Sequence, residues 1–168
     1  MGKPPGHKNF LSMLSLKDKI LLSITTLLGV GYTPFMPGTA SCVVAVFIFL
    51  ILKVKIYYFI FTIISVFLAF LLSGKAEKIL KEKDSKKIVI DDFSGMLVTF
   101  LFIPQSVGPA FIISGFFLFR MLDMLKIPPA DRIENFDGSR GIVGDDIVAG
   151  IYANLILQAV RLLLKIFS

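Results

Sequence analysis

The residues best suited to chemistry are ionised side chains that stand where apolar segments begin or end. They are Asp91, Asp92, Arg120, Asp123, Lys126, Asp145 and Asp146. Ionised groups in apolar segments are costly and usually functional. The five carboxylates would repel one another unless a divalent cation neutralised them, and oxygen ligands alone favour Mg²⁺, which also binds substrate phosphate. The set therefore predicts a phosphoryl-transfer centre in which a carboxylate positions or deprotonates the attacking water.

Two structural alternatives compete with this interpretation. An aspartate at a helix N-terminus satisfies free N–H groups, so capping could account for one member of each Asp-Asp pair. A structural ion pair could account for Arg120 and Asp123, which are spaced i, i+3. Capping does not explain Asp123 near the end of its helix, where the helix dipole disfavours an anion.

Other phosphatase chemistries lack their nucleophile. The histidine, His7, lies in the N-terminal tail, and Cys42 has no arginine six residues later. No Asp-x-Asp pair is present for an aspartyl-phosphate mechanism. A metal-activated water is the remaining route.

The elements that must position these groups are apolar helices. Hydrophobic residues make up 55% of the 168 residues, and the mean hydropathy of +0.82 exceeds that of ordinary soluble chains. We predict an all-α, polytopic membrane helix bundle with a short re-entrant segment or half-helix at 20–30, which is too short to cross. Residues 1–19 form a basic tail and 20–168 a single membrane-embedded catalytic domain. The further apolar segments are 40–52, 57–72, 91–103, 111–125 and 145–167.

Basic residues predict which loops share a side of the membrane. Segment 74–87 holds six lysines, which places it in the cytoplasm by the positive-inside rule. Counting crossings from there puts the turn at 34–39 and the polar loop at 126–144 on the same side. The net charge of +6 is explained by anionic lipid headgroups, so no nucleic-acid partner is expected. We interpret the lysines of 74–87 as a solvated helix face.

Four motifs in order support a more specific interpretation. They consist of Gly29, Gly31, Pro34, Pro37, Gly38 and Thr39; of Asp91, Asp92 and Gly95; of Arg120, Asp123, Lys126 and Pro129, with Glu134 in the loop that follows; and of Gly141, Ile142, Asp145, Asp146, Ala149 and Gly150. In these motifs the chain resembles the phosphatidylglycerophosphatase A family over about 29–150. Asp92 stands where the family usually has Glu, and Ser41, Ile127 and Ser139 also depart from its pattern. None of these changes removes a charge, so we expect activity to persist.

The resemblance implies removal of the terminal phosphate of phosphatidylglycerophosphate with Mg²⁺, yielding phosphatidylglycerol and inorganic phosphate. It implies a multi-pass protein of the bacterial inner membrane with its active site on the cytoplasmic side. We expect the five aspartates to be catalytic, with Asp91, Asp92, Asp145 and Asp146 as metal ligands. The residues expected to bind substrate are Gly38, Thr39, Arg120, Lys126 and Glu134. Which acid is the general base stays open.

Two other functions are compatible with membrane-embedded acids. A small ion- or proton-coupled transporter would carry its acids near the bilayer midplane on broken helices. Here the acids stand at segment ends on one predicted side, which favours the enzyme. A non-catalytic membrane subunit whose acids bind a partner is the other alternative.

Overall fold

The fold is entirely helical over the residues that the structure, a computed structural model, describes: 14–82, 85–133 and 138–167. A short 3₁₀ helix, Val30–Tyr32, lies between the first two α-helices. The α-helices are α1 (Leu16–Thr25), α2 (Pro37–Ile51), α3 (Lys55–Leu80), α4 (Ile90–Thr99), α5 (Pro109–Leu125), α6 (Ala130–Ile133) and α7 (Ser139–Phe167).

The 10-residue helix α4 lies at the centre of the bundle. It packs against α2, α3, α5 and α7, and every one of its residues except Asp92 is buried. Its Phe93, Met96 and Leu97 belong to the main hydrophobic core. Its 10 residues span only about 15 Å, whereas a bilayer core is about 30 Å thick. Helix α4 therefore begins at one end of the bundle and ends inside it.

Two helices are long and apolar enough, by length and composition, to cross a membrane: Lys55–Leu80 and Ser139–Ile166. Both present large apolar side chains outward, among them Phe67 and Leu71 on α3 and Leu155 and Leu162 on α7. Exposed apolar faces of this extent indicate a membrane protein. The predicted all-α class is confirmed for the described residues. The polytopic arrangement and the re-entrant segment stay predictions, and most of the predicted tail (1–13) lies outside the described residues.

Polar side chains satisfy the helix ends that lie inside the bundle. Asn154 Nδ2 on α7 donates to the carbonyl oxygens of Thr99 at 3.0 Å and Leu101 at 2.7 Å. The Tyr58 hydroxyl on α3 donates to Leu97 O at 2.8 Å. The last carbonyl groups of a helix have no partner within it and are costly to leave unpaired in an apolar interior. These side chains allow α4 to end there.

The last helix begins earlier than the sequence indicates. Helix α7 starts at Ser139, whereas the sequence predicted a polar loop up to residue 144, and that loop also contains α6. Gly138, with φ of +69°, precedes the helix. A Cβ atom on Gly144 would collide with Ile133 Cγ2, so this glycine serves the contact between α7 and α6. Packing therefore outweighs the low helix propensity of glycine.

Replacing Asn154 by leucine should destabilise the protein, because the carbonyls of Thr99 and Leu101 would lose their donor in an apolar interior. We expect a loss of about 1–3 kcal/mol in the free energy of unfolding, measured by circular dichroism in detergent micelles. The control is Gln158→Leu, which removes only the donor to Asn154 Oδ1 at 2.8 Å and should cost less. An Asn154→Leu protein as stable as wild type would contradict this account.

Candidate active site

A cavity of about 620 Å³ opens at the end of the bundle where α4 begins. The beginnings of α2, α4 and α7 and the last turns of α3 and α5 surround it. Its lining includes all seven ionised residues that the sequence singled out: Asp91, Asp92, Arg120, Asp123, Lys126, Asp145 and Asp146. These groups come from three separate segments of the chain, and the fold brings them to one cavity.

The contact between α4 and α7 brings their acids close. A Cβ atom on Gly150 would collide with the carbonyl oxygen of Gly95, and one on Gly95 would lie 2.6 Å from Asp146 O. The two backbones approach so closely because neither position carries a side chain. Both glycines belong to the motifs described above, and this contact is the structural reason for them.

The result is a compact group of carboxylates. Asp91, Asp92 and Asp146 each offer a carboxylate oxygen, and these oxygens all lie within 4.8 Å of one another. Asp91 and Asp146 are 7% and 6% exposed. Buried carboxylates at this separation repel strongly, and a hard divalent cation with oxygen ligands is the usual way to stabilise them. The donor set therefore fits a divalent metal, although it does not distinguish one metal from another.

Asp145, the fourth predicted metal ligand, is oriented differently. Its Oδ2 accepts from Lys126 Nζ at 3.2 Å, while its Oδ1 is buried with no hydrogen-bond partner among the described residues. An orphaned buried carboxylate oxygen is costly and indicates that something else binds it. Capping explains neither Asp145 nor Asp146, because both lie in the second turn of α7. Asp91, by contrast, accepts the backbone N–H of Asp92 at 2.9 Å in the first turn of α4.

Arg120 connects two carboxylates of the site. Its Nη1 pairs with Asp92 Oδ1 on α4 and lies 2.9 Å from Asp123 Oδ2 on its own helix. The i, i+3 ion pair considered from the sequence is thus present, but it is part of a larger network. Lys126 follows at the C-terminus of α5 in a left-handed conformation, φ of 46°. Both cations are fixed by carboxylates at the cavity.

The beginning of α2 forms another wall of the cavity. A Cβ atom on Gly38 would collide with Asp92 Oδ2, so glycine is needed for the carboxylate to lie against this helix end. The first N–H groups of a helix have no partner within it, and together they favour an anion. Thr39 Oγ1 is buried without a hydrogen-bond partner among the described residues. Gly38 lines the cavity, whereas Thr39 is not among its lining residues. The binding of substrate by these two residues stays a prediction.

Some lining residues were not predicted from the sequence, and one predicted residue cannot be placed. Glu77, Ser85 and Lys86 line the cavity, although the lysine-rich segment was interpreted as a solvated face. A signal for Glu77 exists, because it continues a stripe of buried small residues on α3: Ala69, Ser73 and Ala76. Glu134 lies outside the described residues, so its predicted role in binding substrate stays a prediction.

Replacing Gly38 by alanine should displace the Asp92 carboxylate and weaken cation binding by about 10- to 100-fold, as removal of support around a metal ligand typically does. The measurement is the rise in melting temperature as Mg²⁺ is titrated. Gly108→Ala is the control, because Gly108 directly precedes α5 and a Cβ atom there meets nothing within 4 Å. Equal Mg²⁺ affinity in both variants would show that the close approach is unimportant.

Comparisons with known proteins identify the family. The phosphatidylglycerophosphatase A family matches residues 23–161. A protein of Haemophilus influenzae named phosphatidylglycerophosphatase A is 33% identical over 155 residues, covering 87% of this chain and 94% of the relative. The Escherichia coli protein of the same name is 31% identical over 133 residues, covering 77% of this chain and 76% of the relative.

A third relative carries a different name. A Bacteroides thetaiotaomicron protein, provisionally named a phosphatidylinositol-3-phosphatase, is 30% identical over 146 residues, covering 82% of this chain and 91% of the relative. No solved structure matches the chain. The family match spans most of the sequence and includes every motif that lines the cavity. The chain belongs to the phosphatidylglycerophosphatase A family.

Proposed function

We propose that this protein is a membrane-embedded, Mg²⁺-dependent phosphatase that hydrolyses phosphatidylglycerophosphate to phosphatidylglycerol and inorganic phosphate at the cytoplasmic face of the bacterial inner membrane. Family membership supports phosphatidylglycerophosphatase activity. The observation that carries the proposal is the group of buried carboxylates that shares one cavity with Arg120 and Lys126. A phosphate monoester needs positive charge around its oxygens, which Arg120, Lys126 and a bound divalent cation would provide.

Asp91, Asp92 and Asp146 are the residues that would hold the cation, with the orphaned Oδ1 of Asp145 as a further ligand or as an acceptor for water. When bound, Mg²⁺ supplies positive charge for the phosphate oxygens and makes the attacking water more acidic. One of these acids would accept the proton of the attacking water as its oxygen bonds to phosphorus. The bond from phosphorus to the glycerol oxygen would break, and that oxygen would leave with a proton as the hydroxyl of phosphatidylglycerol.

The remaining residues orient the phosphate. Arg120 offers planar N–H donors suited to phosphate oxygens, and Lys126 offers a point charge. Their present carboxylate partners, Asp92 and Asp123 for Arg120 and Asp145 for Lys126, keep both cations at the cavity before substrate arrives. Gly38 at the beginning of α2 adds a backbone N–H group to the cavity wall. These donors stabilise the negative charge that develops on the transferring group.

The lipid tails stay in the bilayer, so only the headgroup needs to enter the cavity. We propose that 20–168 form a single catalytic domain, with α3 and α7 crossing the membrane and α4 inserted halfway. The turn at 104–108 lies against the end of α2, where Gln105 Nε2 donates to Leu52 O at 2.7 Å. This end is opposite to the acids. A transporter would place its acids near the middle of the bundle, so the arrangement favours the enzyme.

Single Asp→Asn changes at positions 91, 92, 123, 145 and 146 should lower the rate of phosphate release by about 10²-fold or more at the most sensitive positions, because each removes a negative charge from the metal or water site. The assay is Mg²⁺-dependent phosphate release from phosphatidylglycerophosphate by the purified protein, with EDTA abolishing it and added Mg²⁺ restoring it.

Asp18→Asn is the matched control for these variants. Asp18 lies on α1, accepts from Ser15 Oγ at 2.7 Å and does not line the cavity, so it should retain normal turnover. Near-normal turnover in all five variants, or full activity in EDTA, would contradict the proposal. Phosphate release from phosphatidylinositol 3-phosphate and not from phosphatidylglycerophosphate would change the proposed substrate but leave the proposed site unchanged.

The orientation can be tested with single cysteines at opposite ends of α3. Lys53 and Lys81 are both exposed, and the proposal places the first outside and the second in the cytoplasm. In intact cells, a membrane-impermeant maleimide should label Lys53→Cys but not Lys81→Cys, and permeabilised cells should label both. The wild-type chain is the blank, because Cys42 is buried. Labelling of Lys81→Cys but not Lys53→Cys in intact cells would show that the orientation is opposite to the one proposed.

A further inference from the structure

The segment between α3 and α4 is held against the beginning of the fold. Val89 N donates to Thr25 O at 3.0 Å, and Ile88 N donates to Ser85 O at 2.9 Å. A Cβ atom on Gly31 would collide with the carbonyl oxygen of Lys87, so this motif glycine makes room for the segment. The backbone of residues 85–89 is therefore fixed where it passes the cavity.

Adjacent lysines on this segment have different surroundings. Lys87 Nζ pairs with Glu82 Oε2 at 3.1 Å, and the hydrogen bonds from Lys87 and Ser85 hold the pKa of Glu82 below its usual range. Lys86 instead lines the cavity. Within the part of the chain that the structure describes, Lys86 makes no ion pair. Lys87 is thus paired with a residue of its own segment, whereas the preceding residue, Lys86, can pair with a ligand.

The other cations that line the cavity are already engaged with carboxylates. Arg120 is shared by Asp92 and Asp123, and Lys126 pairs with Asp145. These cations lie among the acids, where the reacting phosphate belongs. Lys86 is exposed and lines another part of the cavity, on the segment that precedes α4. A ligand with a second anionic group would find its partner there.

We propose that Lys86 binds the phosphodiester of the lipid headgroup and thereby selects substrates that carry two phosphates. This inference rests on the proposed function, in which the terminal phosphate occupies the acid-lined part of the cavity. A phosphodiester carries one negative charge and suits a compact, flexible ammonium group. The cavity of about 620 Å³ lies within the usual range for sites that enclose small ligands, so it has room for both phosphates of a glycerol headgroup.

The two products of the proposed reaction test the two subsites separately. Phosphatidylglycerol contains the phosphodiester, whereas inorganic phosphate does not. Binding of dioctanoyl phosphatidylglycerol and of inorganic phosphate is measured by thermal shift in detergent micelles for wild type, Lys86→Gln and Lys87→Gln. Melting temperatures without ligand verify folding. Lys87→Gln is the matched control, since it removes the same charge from the neighbouring position.

Lys86→Gln should raise the Kd for phosphatidylglycerol about tenfold, the loss expected for one charge-assisted hydrogen bond. It should leave the Kd for inorganic phosphate within about twofold of wild type, and Lys87→Gln should change neither. Unchanged phosphatidylglycerol binding in Lys86→Gln would overturn the inference. So would an equal loss for both ligands, or an equal loss in Lys87→Gln, which would indicate general surface charge.

Phosphate release from phosphatidylglycerophosphate is measured separately on the same proteins. Wild-type protein that releases no phosphate would refute the proposed function, while the binding measurements would still decide the role of Lys86. Active wild-type protein with unchanged phosphatidylglycerol binding in Lys86→Gln would refute only this inference. If both hold, Lys86→Gln should lower kcat/KM about tenfold, mainly through KM.

Discussion

The site depends on how closely α4 and α7 approach. Gly150 lies against the carbonyl of Gly95, and Gly95 lies against the carbonyl of Asp146. Between helices in lipid, association relies on van der Waals contact and polar contacts, which small residues permit at short range. This contact brings Asp91 and Asp92 on one helix to Asp146 on the other. Without this contact, the carboxylates of the two helices would not be held close together.

That contact also imposes an electrostatic cost that the rest of the site must offset. The carboxylate oxygens of Asp91, Asp92 and Asp146 lie within 4.8 Å of one another in a largely buried position. Arg120 pairs with Asp92 and thereby reduces the repulsion at one edge of the group, and a divalent cation would reduce the remainder. Packing and the charge of the site are therefore coupled: the glycine contact holds like charges together, and their repulsion would be offset by a bound divalent cation, which the donor set fits.

The sequence indicated which charged residues line the cavity better than it indicated the local structure around them. Charges at the ends of apolar segments identified the seven ionised residues, because such positions are costly without a function. The start of α7 was missed because Gly141 and Gly144 resemble a turn locally, whereas the contact that requires glycine at 144 is made with Ile133, outside the local pattern. Glu77 and Lys86 were missed for a related reason. Which face of a lysine-rich helix end or loop is buried depends on neighbours that the local pattern does not contain.

The position of α4 along the bundle axis links these remote contacts to the site. A helix of this length cannot be positioned by spanning the bilayer, since neither of its ends needs to reach a particular interface. Its C-terminal carbonyls are instead held by Asn154 and Tyr58 in the interior. A shift along the axis would break those hydrogen bonds and would also move Asp91 and Asp92 out of level with Asp146. The polar side chains in the middle of the bundle thus set the depth at which the acids meet, although none of them lines the cavity.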